Sequence, residues 1–346
     1  MKGRRAQLLI AATLLLTGAA QPSTAQTPSA QPPVSQPPVS QPPAAQPVGG
    51  VPPPIDPGES AVVQELEVIG RYPGPPQWTV RRGDAEVVVL GALSPLPHTL
   101  EWNTHRFDRA LDGARLVILP PNGRIGLFDG AYLLLHQGDL RLPGGQRLWD
   151  RLTPEERRRF DSLRSDAKTD AKRYEHLKPA IAGMTLEADF DKAAGLSAAK
   201  PGSTVKRMAD ARQLRTQVEG LPIAALFRSV VRMDENASHA CLDAFLTDAE
   251  RHRAQGRAMA EAWANGDLGR LKGEYLSSAV DQCIAGAPGL QAFVEKLTRD
   301  AQAQMDAALA KGGKTVAVID LRVLLSANGV LDRLKAEGAA IGVPHD

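Results

Sequence analysis

The sequence has 346 residues, 41 Lys and Arg against 39 Asp and Glu, and a formal net charge of +2. This balance gives no electrostatic basis for binding nucleic acid or an anionic membrane surface. Two cysteines exclude a disulfide scaffold and a four-cysteine zinc site. The length allows two domains at most, or one domain with appendages.

The N-terminus has the three parts of a cleavable export signal. Basic residues open the chain, an apolar run covers residues 8–16, and a small-residue cleavage site ends at Ala25. We therefore expect residues 1–25 to be a signal peptide, cut after Ala25, and the mature chain to be periplasmic. An uncleaved N-terminal anchor is the alternative. No second long apolar run follows, so we expect no integral membrane span in the mature chain.

Residues 26–57 are rich in Pro and Gln, and the units QPPVS, QPPVS and QPPAA repeat from Gln31. Proline excludes helix and removes backbone donors, so this segment is predicted to be a disordered linker of polyproline II or coil. It acts as a spacer, as a ligand for an envelope component, or without any partner. The folded domain is expected over residues 58–346.

Strand signals at both ends of this domain flank a helical middle. Strands are predicted over residues 78–81, 86–90, 115–119, 214–218, 315–319 and 340–343. Helices are predicted over residues 100–111, for some fifteen residues from a capping box at 153, and over 186–194, 203–211, 222–233, 239–264, 289–309 and 329–336. This order predicts an α+β, or mixed α/β, single domain whose central mixed sheet is built from both chain ends.

The motifs at both ends of the domain resemble those of TraB/GumN family proteins. A tryptophan strand, a Gly-Asp hairpin, a strand ending in a G-x-x-H-like motif and a short helix open the family pattern, and a strand, helix and strand close it. The segments that carry the resemblance are 78–84, 88–97, 107–111, 315–320 and 328–335. The resemblance covers roughly residues 75–343.

The family is similar to the Tiki metalloproteases and the erythromycin-esterase-like proteins. The resemblance therefore implies a mixed sheet under a helical cap and a divalent metal held by two G-x-x-H motifs and a Glu, with an open position for a water nucleophile. This chain departs from the pattern at each position. The motifs read Gly91-Ala-Leu-Ser94 and Asp320-Leu-Arg-Val323, and Pro120 follows the strand that should lead to Glu. We therefore expect a degenerate site with no bound metal and no cofactor.

Two polar residues remain as candidate catalytic groups. Ser94 stands where the first histidine belongs, and it is a nucleophile if His98 or His105 serves as its base, or else it fixes a strand-to-loop turn. Asp320 follows the C-terminal strand, and sites in α/β sheets gather at the carboxyl ends of strands. Arg322 either lines a residual cleft with Asp320 and Ser94 or pairs with Asp320 at the surface.

The loop after the second strand supplies the remaining candidates for a cleft. An exposed Trp beside Asn and Glu can bind a sugar or a peptide, although Trp102 can instead cover the edge of the core. The candidate cleft or binding residues are Gly91, His98, Glu101, Trp102, Asn103 and Arg322.

The two cysteines, Cys241 and Cys283, are predicted to form a disulfide between two helices of the middle region, because exported proteins fold under oxidising conditions. A Cys–His pairing of Cys241 with His239 is a weaker alternative, because a residue two positions away points elsewhere on a helix.

Together these observations favour an exported envelope protein that acts as a binding or accessory factor. Its partner is expected to be a cell-envelope protein or a polysaccharide. The alternative is a peptidase- or esterase-like hydrolase with a rearranged active site around Ser94 and Asp320. In a third possibility, the proline-rich segment carries the function and the folded domain has no function of its own.

Overall fold

The computed structural model describes residues 74–122, 130–131, 134–221, 223–275 and 279–343. All of them lie in the second of two units into which the chain divides, Arg71–Asp346. The predicted signal peptide (residues 1–25) and the predicted linker (residues 26–57) lie outside the described residues. Within the described part of the chain, no helix combines the length and apolarity needed to cross a membrane.

Eight described strands form one six-stranded mixed sheet and one two-stranded pair. In chain order they are β1 (Gln77–Arg82), β2 (Ala85–Ala92), β3 (Leu96–Pro97), β4 (Ala114–Asn122), β5 (Leu196–Ser197), β6 (Thr216–Gly220), β7 (Lys314–Asp320) and β8 (Ala340–Gly342). The large sheet has the order β6-β4-β7-β2-β1-β8, and β3 pairs with β5. The prediction of one mixed sheet built from both chain ends is therefore confirmed.

The centre of the sheet is parallel. Strand β7 lies between β2 and β4, parallel to both, and β6 extends this set beyond β4. Strand β1 runs antiparallel to β2 and β8. The runs Val87–Leu90 and Val316–Ile319 are buried along their whole length, as expected for strands covered on both faces. The carboxyl ends of β2, β4 and β7 consequently meet at one edge of the sheet.

The helices cover the sheet and build a separate layer in the middle of the chain. In chain order they are α1 (His105–Leu111), α2 (Pro154–Asp166), α3 (Pro179–Ala193), α4 (Gly202–Ala211), α5 (Ile223–Val231), α6 (Glu235–Ala264), α7 (Leu268–Glu274), α8 (Val280–Ala285), α9 (Pro288–Ala310), α10 (Leu321–Leu325) and α11 (Val330–Ala336). Short 3-10 turns cover Gln137–Leu140, Pro143–Gly145, Leu148–Asp150 and Ala171–Arg173.

The helical layer is organised around the packing of α3 against α6. Gly183 lies at their closest approach, where a Cβ atom would come within 3.1 Å of Leu242 Cδ1 and 3.2 Å of Phe245 Cβ. The apolar side chains that α2, α3 and α6 bury together are Phe160, Leu163, Leu186, Phe190, Leu242 and Leu246. Cys241 on α6 is disulfide-bonded to Cys283 on α8, which confirms the predicted pairing.

The predicted capping box at the start of α2 is also confirmed. The amide of Glu156 donates to Thr153 Oγ1 at 3.2 Å, and the amide of Thr153 donates to Glu156 Oε2 at 2.7 Å. Pro154 occupies the first helical position, where a missing N–H costs nothing. The second carboxylate oxygen of Glu156 lies 2.9 Å from Nδ1 of His239, so the cap also ties α2 to α6.

Several predicted boundaries are wrong. Helix α1 begins at His105, five residues after its predicted start at residue 100. Helix α3 begins at Pro179, seven residues before its predicted start at residue 186. Strand β4 does not stop at Pro120 but runs to Asn122. It tolerates two prolines there because its register with β6 is irregular between Leu119 and Asn122, where ladder donors are not required.

Candidate functional site

A polar cluster lies where β2 and β7 end side by side. The register pairs Ala92 of β2 with Asp320 of β7, so residues that follow the two strands meet. The hydroxyl of Tyr275 donates to Asp320 Oδ2 at 3.1 Å and lies 3.5 Å from the carbonyl oxygen of Ser94. The guanidinium carbon of Arg322 lies 4.4 Å from the centroid of the Tyr275 ring. The structure thus brings Ser94, Asp320 and Arg322 into one cluster, with Tyr275 between them.

The position of Asp320 follows from its place in the chain. It is the last residue of β7 and the N-cap of α10, and its Oδ1 accepts a hydrogen bond from the amide of Arg322 at 2.8 Å. Aspartate is among the preferred N-cap residues because its short carboxylate satisfies a helix amide that lacks an internal partner. One short strand-to-helix junction therefore fixes both Asp320 and Arg322.

Burial dominates the electrostatics of this cluster. Burial raises the pKa of Asp320, although the amide of Arg322 and its guanidinium oppose that shift. Burial and the charge of Asp320 both raise the pKa of Tyr275, so the phenol stays neutral and donates. Burial would lower the pKa of Arg322, but Tyr275, Asp320 and neighbouring carboxylates outweigh it and raise that pKa. A permanently charged guanidinium consequently occupies the cluster.

The side chain of Ser94 points to a different partner. Its hydroxyl donates to the carbonyl oxygen of Ala198 at 3.5 Å. Among the described residues, neither His98 nor His105 hydrogen-bonds this hydroxyl; both are exposed. The amide of His98 donates to the carbonyl of Gly195, which attaches the loop to the end of α3.

The remaining cleft candidates serve the packing of this loop. The carbonyl of Gly91 accepts a hydrogen bond from Trp263 Nε1 at 2.7 Å, and a Cβ atom at Gly91 would lie 2.6 Å from the ring of Trp78. Trp102 packs edge-on against Trp263, with ring centroids 5.4 Å apart, so it lies at the edge of the core. Asn103 Oδ1 accepts from the amide of His105 at 3.0 Å.

A cavity of about 540 Å³ opens beside this loop. Glu101, one of the predicted cleft residues, lines it, and the end of α3 and the C-terminal half of α6 form its other walls. The charged residues along its lining are Glu101, His252, Arg253, Arg257 and Glu261.

A second polar group, which was not predicted from the sequence, reaches the wall of this cavity through His252. Glu187 and Asp191 on α3 and His252 on α6 place their ligand atoms within 4.8 Å of one another. Nδ1 of His252 lies 3.0 Å from Asp191 Oδ1. Burial raises the pKa of Glu187 to about 8. Burial lowers the pKa of His252, but Asp191 outweighs it and the net shift is upward. The four-residue spacing of Glu187 and Asp191 was the available signal, and nothing local pointed to His252.

The family model that describes the TraB/PrgY/gumN family matches residues 76–342. The chain belongs to the TraB/PrgY/gumN family. The match begins one residue before β1 and ends at the last residue of β8, so the entire mixed sheet of this TraB/PrgY/gumN protein lies within the matched range. At the threshold applied, no curated protein and no solved structure matches the chain.

Proposed function

We propose that this chain is an exported TraB/PrgY/gumN protein of the bacterial cell envelope that acts as a binding or accessory factor, without the family's metal-dependent hydrolase site. The observation that carries the proposal is the cluster of Tyr275, Asp320 and Arg322 at the carboxyl ends of β2 and β7. The partner is a cell-envelope protein or polysaccharide.

The residues of this cluster do not fit the metal that the family implies. A catalytic zinc or related ion needs three imidazole or carboxylate ligands. Here the guanidinium of Arg322 already supplies the positive charge, and Asp320 accepts hydrogen bonds from Tyr275 and from the amide of Arg322. A second cation at this place would be repelled by Arg322, because like charges a few ångströms apart repel strongly away from water. The hydroxyl of Ser94 is a poor ligand and bonds to Ala198.

Two features support a binding role. The cavity beside the loop, about 540 Å³, falls within the size range of small-molecule sites and would hold a short segment of sugar or peptide. Nε of Arg322 is buried and has no hydrogen-bond partner among the described residues, so an acceptor group that reached the cluster would satisfy this donor.

Export is supported by the sequence of residues 1–25 and by the disulfide between Cys241 and Cys283. Structural disulfides persist in oxidising compartments such as the periplasm and are rare in the cytosol. N-terminal sequencing of the protein from a periplasmic fraction tests this part of the proposal. We expect the mature chain to begin at residue 26.

A hydrolase around Ser94 and Asp320 is the second candidate, and its support is that both residues belong to one cluster. The two functions are separated by measuring, on the same preparation, retention by isolated envelope polysaccharide and turnover of ester and peptide substrates. We expect saturable retention, and no turnover that the Ser94→Ala or Asp320→Asn variant reduces. Turnover that both variants abolish would replace the binding proposal with the hydrolase.

A further inference from the structure

We propose that Glu187, Asp191 and His252 form a divalent metal site, and that Zn²⁺ is the ion it favours. None of these three residues occupies a motif position of the family, although the charge of Arg322, beside Asp320, also acts on Glu187. The expectation of no bound metal rested only on those motif positions, so it does not bear on the new set. The inference also stands independently of the binding role proposed above.

The geometry carries the proposal. The three ligand atoms lie within 4.8 Å of one another. Tetrahedral Zn²⁺ with bonds of about 2.0–2.1 Å holds neighbouring ligand atoms roughly 3.4 Å apart. Nδ1 of His252 and Oδ1 of Asp191 are already 3.0 Å apart. Small rotations of the side chains, without movement of the helices, therefore complete the site.

The supporting elements are rigid. Glu187 and Asp191 lie one turn apart on α3, so their side chains share one face of that helix. His252 comes from α6, which packs closely against α3 where Gly183 meets Leu242. A metal site built on two packed helices keeps its ligands in place better than one built on loops.

The side chains are sheltered but accessible. His252 is 20% exposed and Asp191 is 19% exposed, so an ion can reach them while much of the surrounding water is excluded. No described residue donates a hydrogen bond to Glu187, and the charges that act on it are those of His252 and Arg322 and of the carboxylates Asp191 and Asp248. A partly buried carboxylate without a donor is costly, and a bound cation removes that cost.

The donor set selects the class of ion. Mg²⁺ and Ca²⁺ prefer oxygen ligands alone, whereas one imidazole with two carboxylates suits Zn²⁺. On binding, the ion displaces the proton between Nδ1 of His252 and Oδ1 of Asp191 and also the proton that Glu187 carries at neutral pH, and both protons leave to bulk water. Three protein ligands leave a fourth position open, and His252 lines the cavity from which a water or a ligand group would fill it.

The test is a zinc titration of the full chain as purified, after removal of metal with chelator and at constant neutral pH. A chromophoric chelator competes for ZnCl2, and plasma mass spectrometry counts the metal retained after desalting. We expect about one equivalent per chain. Glu187→Gln and His252→Gln keep the side-chain size and should weaken zinc binding at least about 100-fold, beyond what the loss of a merely supporting residue costs.

His239→Gln is the matched control. His239 lies on the same helix and pairs with Glu156 at 2.9 Å, but the described residues offer this pair no third ligand. The His239→Gln variant should bind zinc with the same affinity as the unaltered chain. Co²⁺ gives a second readout, because its visible absorption reports imidazole and carboxylate ligands directly.

Three results would overturn the site. One is less than about a tenth of an equivalent retained with zinc in excess. Another is zinc binding that Glu187→Gln and His252→Gln leave unchanged. The third is a loss in His239→Gln as large as in His252→Gln. If either ligand variant fails to fold by circular dichroism, Asp191→Asn replaces it. Retention by envelope polysaccharide is measured without added metal, so a failure of the binding proposal is seen separately.

Discussion

The guanidinium of Arg322 stacks on Tyr275 and stands beside the buried carboxylate of Asp320. Each of these charges is costly to bury alone. Removing one partner of a buried pair therefore leaves the charge of the remaining partner uncompensated. Arg322 lies one residue before Val323, the position where the resemblance to the family expects the second histidine ligand. We therefore interpret the guanidinium of Arg322 as the counterion of the Asp320 carboxylate.

Replacing this guanidinium should destabilise the fold. Arg322→Met keeps the length of the side chain, and we expect the free energy of unfolding to fall by about 3 kcal/mol because Asp320 loses its counterion. Urea denaturation measures this free energy of unfolding. Arg333→Met is the control, because Arg333 pairs with Glu295, which is 45% exposed. This substitution should lower the free energy of unfolding by at most about 1 kcal/mol. Equal losses would contradict the counterion role.

The contact of Glu156 with His239 makes part of the stability depend on pH. Burial alone would raise the pKa of Glu156, but the hydrogen bonds from His239 and Thr153 outweigh it and lower that pKa. A carboxyl with a lowered pKa in the folded state stabilises the fold above its ordinary pKa, and this stabilisation is lost as the pH falls through the lowered value.

Glu156→Gln separates the charge from the cap, because glutamine also serves as the third residue of a capping box. We expect the variant to be less stable than the unaltered chain at neutral pH and the difference to shrink below the ordinary pKa of a glutamate. Free energies of unfolding measured across that range give the comparison. A difference that does not change with pH would mean that only the cap matters.

At the scale of the elements, the contact of α3 with α6 leaves no room at Gly183. Gly183→Ala brings a methyl group to about 3.2 Å from the backbone of Leu242, which cannot move aside as a flexible side chain can. We expect a net loss of about 1 kcal/mol, since overpacking outweighs the gain in helix propensity.

Gly256→Ala on α6 is the matched substitution, because a Cβ atom there meets nothing within 4 Å. It should stabilise the chain by about 1 kcal/mol through helix propensity alone. Thermal unfolding of both variants should show melting temperatures on opposite sides of that of the unaltered chain. A stable Gly183→Ala variant would show that the two helices separate at little cost.

The disulfide joins α6 to α8 across 42 residues. The loop-entropy estimate for such a crosslink is about 4 kcal/mol. The double variant Cys241→Ser, Cys283→Ser should lose about that much in free energy of unfolding, and its stability should no longer respond to reductant. An unaltered chain that is equally stable with and without reductant would show that the crosslink constrains little.

The elements that the sequence predicted correctly are those with strong local signals. The valine-rich runs of β2 and β7 and the capping box of α2 are examples. The start of α3 was missed because Lys178 gives no side-chain cap, and α7 and α8 are too short to show a clear helical period.

The residues of the candidate site can also be divided into those with a local sequence signal and those without one. Asp320 and Arg322 were found from a strand end, which is a local feature. Tyr275 was not, because no helix was predicted around it. The grouping of Glu187 and Asp191 with His252 depends on how two helices pack, and a single sequence contains no direct record of that contact.

At the scale of the whole molecule, the family match over residues 76–342 spans the whole six-stranded sheet, from Gln77 to Gly342. The helices between β4 and β7 supply both histidine–carboxylate pairs, with the carboxylates on α2 and α3 and the histidines on α6. The family match thus covers both the sheet and the helical middle, which carries the proposed zinc site and part of the cavity wall.

Strand β7 stands at the centre of the sheet, yet it follows β1 to β6 and most of the described helices along the chain. Until it arrives, β2 and β4 have no common neighbour, and the core between them cannot close. Pairing between such distant segments is slow to form. A chain that crosses a membrane through a narrow channel has to remain unfolded until it has passed through that channel. In the exported protein proposed here, the late position of β7 would delay folding for long enough to allow that passage.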